Sequence, residues 1–140
     1  MKMKHALLTC TLALAGCATS PAGTAGTATA PDETAELSAR LAGATFGRVP
    51  SQPVSCVTLT ELRGNRALGR ELILFEGTGG RQWVTRARDC RGLDYGRTLR
   101  INAPSGQLCR GDAAQVLDSQ SNAVLGSCTM GDFLAYVPRG

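Results

Sequence analysis

Four cysteines, Cys56, Cys90, Cys109 and Cys128, recur at wide intervals through this chain, and their placement limits its fold more than any other feature. Structural metal sites usually draw their ligands in close pairs about two to four residues apart. No such pair occurs here. An even number of widely spaced cysteines in a small exported domain reads instead as two disulfides. The remaining two of the six cysteines, Cys10 and Cys17, lie in an N-terminal segment that supplies the reason to expect export.

That segment opens Met1-Lys2-Met3-Lys4, continues through a mostly apolar run from Ala6 to Ala15, and closes on Leu14-Ala15-Gly16-Cys17. A basic start favours retention on the cytoplasmic side, a short apolar run enters the export channel, and small residues before the cysteine suit a signal peptidase. The arrangement resembles a bacterial lipoprotein signal. A membrane-spanning helix needs about 20 apolar residues, roughly twice this run, and an ordinary signal peptide has no need of a cysteine just after the cut. Residues 1–16 therefore read as a lipoprotein signal peptide and Cys17 as the lipidated first residue of the mature chain. Ala18 follows where an aspartate would favour inner-membrane retention, which points to the outer membrane, facing the periplasm.

Export changes the charge. Lys2 and Lys4 are the only lysines and both leave, so the formal +4 falls by two and every remaining basic residue is an arginine. The mature chain is mixed in sign and weakly basic, which is no footprint for nucleic acid. His5 leaves as well, and it is the one histidine.

Residues 17–31 carry the cysteine and then only small, uncharged residues and prolines, a composition that reads as a flexible tether. Over 32–44, early acids, Arg40 near the end and Gly43 after it suggest a short helix, with a thin apolar side of Ala35, Leu37 and Leu41. Residues 45–140 change to short runs cut by turn residues, the pattern of an all-β barrel or sandwich. Candidate strands are 55–59, 71–76, 82–87, 97–103, 115–118 and 133–137. Leu99 and Ile101 alternate with Thr98, Arg100 and Asn102, so one face is buried and one wet. Leu72-Ile73-Leu74-Phe75 is apolar on both faces, as expected of a strand covered on both sides.

Four cysteines allow three pairings. The expected one is nested: Cys90 with Cys109 around a hairpin-like unit, and Cys56 with Cys128 tying the first strand to the last.

The motifs Leu108-Cys109-Arg110-Gly111-Asp112 and Ser127-Cys128-Thr129-Met130-Gly131-Asp132-Phe133 give the chain, over about residues 54–137, a resemblance to a family of small proteobacterial lipoproteins known only as a domain of unknown function. The resemblance implies no activity, catalytic residue or cofactor.

With histidine and lysine lost and the thiols paired, the usual general bases and nucleophile activators are missing from the mature chain. No catalytic, cofactor or metal residue is assigned. Asp112 and Asp132 each follow a glycine soon after a cysteine; they read as turn residues bonding nearby backbone N–H groups, and alternatively as a carboxylate pair for hydrolysis. Arg110-Gly111-Asp112 spells a cell-adhesion tripeptide and reads as coincidence. Around the only tryptophan, strand alternation puts Arg81 and Trp83 on one face and Arg86 and Arg88 on the other. Trp83 is expected in the core, with Arg86 and Arg88 as solvated candidates for binding an anion. The composite expectation is a lipid-anchored, non-enzymatic binding or accessory module of the cell envelope. Its partner is an envelope protein or an anionic glycan or lipid. A carboxylate-dependent hydrolase and an inhibitor of cell-wall hydrolases are the alternatives.

Overall fold

The structure is a computed structural model and describes residues 29–140, with side chains from Asp32 onward. The expected signal peptide, Cys17 and most of the proposed tether lie outside the described residues.

The chain runs α1 (Thr29–Ala44), β1 (Arg48–Val54), β2 (Cys56–Thr58), β3 (Leu62–Ala67), β4 (Leu72–Gly77), β5 (Gln82–Arg86), β6 (Thr98–Ile101), β7 (Gln107–Cys109), β8 (Ala113–Leu117), β9 (Val124–Thr129) and β10 (Phe133–Pro138). All pairings are antiparallel, in a five-stranded sheet β1-β10-β5-β4-β3, a three-stranded sheet β6-β8-β9 and a two-stranded ribbon β2-β7. The result is an all-β, sandwich-like fold with one helix laid on its outside.

The apolar run of β4 explains that layering. Ile73 and Phe75 point into the main core with Trp83, Val116, Met130 and Phe133, while Leu72 and Leu74 point the other way and pack with Leu68 and Val84. Leu37, Leu41 and Ala44 of α1 cover this second cluster. Each fully buried side chain of this size contributes about 1.5–3 kcal/mol, so a strand apolar on both faces requires a cover on both. The thin stripe of Leu37 and Leu41, one turn apart, suffices because the sheet supplies the rest. Ala35 stays exposed. The helix ends at Ala44, as expected, but begins earlier, at Thr29, within the stretch read as tether, and Gly43 lies inside it instead of after it. It stops where Thr45 Oγ1 donates to Leu41 O at 2.8 Å.

Six expected strands are present with adjusted ends, and Leu99 and Ile101 do face the core. Four others carry no alternating signal. β1 is exposed along nearly its whole length and contains Pro50 and Pro53; β3 interleaves arginines and Gly64; β7 has three residues; β9 turns Val124 and Leu125 outward.

Those missing strands account for the one clear correction. The disulfides are Cys56–Cys109 and Cys90–Cys128, not the nested pairs Cys90–Cys109 and Cys56–Cys128. The strand expected to come first, now β2, pairs with β7 and not with the last strand; β10 pairs instead with β1, which the sequence did not reveal as a strand. Cys56 on β2 stands opposite Cys109 on β7, with Cα atoms 4.0 Å apart. Cys90 is carried to β9 by two backbone contacts, the Arg88–Thr129 bridge and Arg91 N–H donating to Ser127 O at 3.0 Å, which bring its Cα within 4.2 Å of that of Cys128.

Candidate functional site

The two signature motifs meet in space, and nearly every residue in them serves the junction. Leu108 and Phe133 are fully buried in the core, and Cys109 and Cys128 are both in disulfides. Gly111 has φ +93°, a left-handed conformation that side chains resist. Its N–H donates to Met130 O at 2.9 Å, and Met130 N–H donates back to Asp112 O at 2.8 Å. At Gly131 the carbonyl oxygen of Arg86 lies 2.3 Å from where a Cβ would stand, so only glycine fits.

The aspartates are engaged separately. Asp112 Oδ2 accepts from Cys109 N–H at 2.8 Å, closing its own turn, and Asp132 on the surface pairs with Arg110 at 3.3 Å. With Arg110 held by Asp132 and the Asp112 carboxylate turned back on its own chain, the Arg-Gly-Asp tripeptide does not present the free ends that adhesion requires.

Trp83 is buried, as expected, with its indole N–H unpartnered among the described residues, and the Arg81 guanidinium lies over the ring at 5.6 Å. Arg86 and Arg88 leave the sheet on the α1 side. Arg86 pairs with Glu71, whereas Arg88 makes no ion pair among the described residues. Of the two tentative binding residues, Arg88 lines the cavity beside α1 and Arg86 is not among its lining residues.

That cavity, about 820 Å³, lies between α1, the β3–β4 turn and the loop after β5. Arg40 organises one wall. Its guanidinium donates to Leu68 O at 3.1 Å, pairs with Glu36, and stacks on Tyr95 at 4.1 Å. Arg70 stands 3.9 Å from Glu33 on the opposite rim. Three arginines, Arg40, Arg70 and Arg88, face five carboxylates, Glu33, Glu36, Glu71, Asp89 and Asp94, so the walls are mixed in sign with acids in excess. Sequence reading reached Arg88 and missed Arg40, Arg70 and Tyr95. Arg40 and Tyr95 are far apart in the chain, and only the docking of α1 unites them.

One carboxylate is strongly perturbed. The backbone N–H of Ser121, its hydroxyl and the Gln120 N–H, with Arg97 adding to them, hold Asp118 at a pKa of about 2, well below the usual 3.8. These contacts make a closed turn between β8 and β9, and they account for the shift without a catalytic role. Among the described residues, no group of three His, Cys, Asp or Glu side chains is arranged to hold a metal. No described helix is long and apolar enough to cross a membrane.

No curated protein and no solved structure matches this chain. One family does, over residues 1–131, so the match begins well before the stretch that carries the two motifs and stops just short of Asp132 and Phe133. The chain belongs to a family of unknown function (DUF6491).

Proposed function

We propose that this protein is a lipid-anchored accessory protein of the cell envelope, held at Cys17 on the periplasmic side of the outer membrane, that acts by binding and not by catalysis. The observation that carries the reading is the engagement of the motif side chains. Asp112 closes its own turn and Asp132 is paired with Arg110, while the cavity beside α1 keeps an arginine, Arg88, free of ion pairs among the described residues. Two disulfides agree with an oxidising compartment. The family match also starts at residue 1, so the N-terminal segment is part of what the family shares.

The partner at the cavity is an envelope protein. Walls carrying both signs, with carboxylates in excess, repel a polyanionic glycan as a whole yet complement a protein surface that offers both charges. Cross-linking in intact membranes followed by mass spectrometry tests this. Wild type captures a defined protein, and Arg88→Glu reduces capture without lowering the melting temperature. Equal capture by both proteins overturns the assignment of the cavity. Mass spectrometry of the mature amino terminus tests the anchor, and an unmodified first residue overturns it.

The hydrolase reading has one observation in its favour, the direct backbone hydrogen bonding of the Gly111–Asp112 and Met130–Gly131 segments, which brings the two aspartate-bearing turns together. Loss of a cell-wall hydrolytic activity in Asp112→Asn/Asp132→Asn, with melting unchanged, establishes that reading in place of binding.

A further inference from the structure

The corner where α1 hands the chain to β1 has a different character from the cavity. Phe46 projects there with 85 % of its surface exposed, and Val49 is exposed beside it. Three arginines gather at the same end of the sheet. Arg48 donates to Gly80 O at 2.8 Å and to Phe46 O at 3.2 Å; Arg139 N–H donates to Gly47 O at 3.2 Å; Arg81 follows Gly80 in the turn before β5. None of the three is in an ion pair among the described residues. The segments that build the corner, residues 44–60, 77–88 and 133–140, contain no aspartate or glutamate; Glu61 borders the far side of the turn, its carbonyl oxygen beside Gly77. Glu76, opposite Gln82 on β4, is taken by Arg66.

We propose that this Phe46 corner docks on an anionic phospholipid bilayer, Phe46 entering the headgroup boundary while Arg48, Arg81 and Arg139 meet lipid phosphates. The proposal rests on the anchored reading above for its setting, although its chemistry is independent of the anchor. An exposed aromatic at a sheet end that carries three arginines free of ion pairs among the described residues suits an interface where apolar contact and anionic charge coincide. A protein strand adding to the sheet is a poorer occupant of the neighbouring β1 edge, because Pro50 and Pro53 remove N–H donors that such pairing uses. The chain length permits docking. The residues from Cys17 to Thr29 span at most about 40 Å at 3.3–3.6 Å each, more than the roughly 24 Å length of a 16-residue α1, so the anchor and the corner can reach the same membrane.

The test uses the full lipidated protein, reconstituted with vesicles of phosphatidylcholine alone or mixed with phosphatidylglycerol. In Phe46→Trp, emission above the wild-type Trp83 background is quenched by a headgroup-proximal spin-labelled lipid when phosphatidylglycerol is present. The quenching is weak in phosphatidylcholine and reversed by high salt. Arg139→Gln lowers the docked fraction about fivefold. Equal and weak quenching in both vesicles overturns the proposal and leaves the corner to water or to a protein. Flotation of wild type with phosphatidylcholine vesicles reads the anchor separately: failure to float retires the lipidation reading, and the phosphatidylglycerol-dependent quenching still decides the docking.

Discussion

Asn65 and Leu99 are joined by a two-way hydrogen bond: the Asn65 amide donates to Leu99 O at 3.0 Å while its oxygen accepts from Leu99 N–H at 2.7 Å. A side chain on the edge strand β3 thus imitates a neighbouring strand and ties the five-stranded sheet to β6. On the other side, the Arg88–Thr129 bridge links the end of β5 to β9. The two sheets are thus fastened at the edge strand β3 and beyond the end of the central strand β5, and the apolar core lies between them.

Asn65→Ala leaves both backbone groups of Leu99 without a partner in a half-buried site. Unmet groups of this kind cost about 1–3 kcal/mol, and a domain of this size loses about 4–8 °C of Tm per kcal/mol. Thermal melting followed by circular dichroism checks the size of the loss. A change under a degree would show that the sheets do not depend on this junction.

The two disulfides differ in accessibility. Cys56 is exposed, whereas Cys128 is 1 % exposed. Mild reductant should open Cys56–Cys109 first, and alkylation with peptide mapping reads the order. On the loop-entropy model, with sequence separations of 53 and 38, loss of either bridge costs about 4 kcal/mol. Recovery of Cys90 joined to Cys109 would contradict the pairing itself.

The signature motifs should respond to mutation as structure. Gly131→Ala forces a Cβ against the Arg86 carbonyl and should cost about 1–3 kcal/mol through displacement of the β5 end. Asp112→Ala removes the acceptor for Cys109 N–H and should cost about 0.5–2 kcal/mol. Asp132→Ala breaks only a surface ion pair and should change stability by less than about 1 kcal/mol. Urea denaturation of the three variants should rank them with Asp132→Ala the mildest, and any other placing of Asp132 would be inconsistent with this account.

Asp118 makes the turn between β8 and β9 sensitive to acid. Its folded pKa is lowered from 3.8 to about 2, so the folded form binds its proton less readily than the unfolded form. The stabilisation is fully present above the unfolded value and is lost as pH falls from about 4 through 2. Amide exchange at Gln120 and Ser121 should therefore show protection, relative to the intrinsic exchange rate, that declines across that window. In Asp118→Asn the decline should disappear. Protection that falls equally in both proteins would assign the acid sensitivity to another group.

What the sequence determined by itself is whatever local chemistry can specify. The count of two disulfides follows from residue types and their spacing, and the expectation of export and of an oxidising compartment rests on short-range residue patterns of the same kind. The β class follows from alternation within single strands, as at Leu99 and Ile101, and the double burial of β4 follows from four consecutive apolar residues. Tertiary structure alone decided which cysteine meets which, because pairing depends on strand partners. β7 and β9, which carry Cys109 and Cys128, are short or turned apolar side out, and so lack the alternation that reveals a strand. It also decided that Arg40 stacks on Tyr95, that Arg86 is occupied by Glu71 while Arg88 is in no ion pair among the described residues, and that Arg139 meets the chain at Gly47, next to Phe46. Such juxtapositions join residues distant in the chain, and they are set by the packing of whole sheets and a helix, to which no short stretch of sequence corresponds.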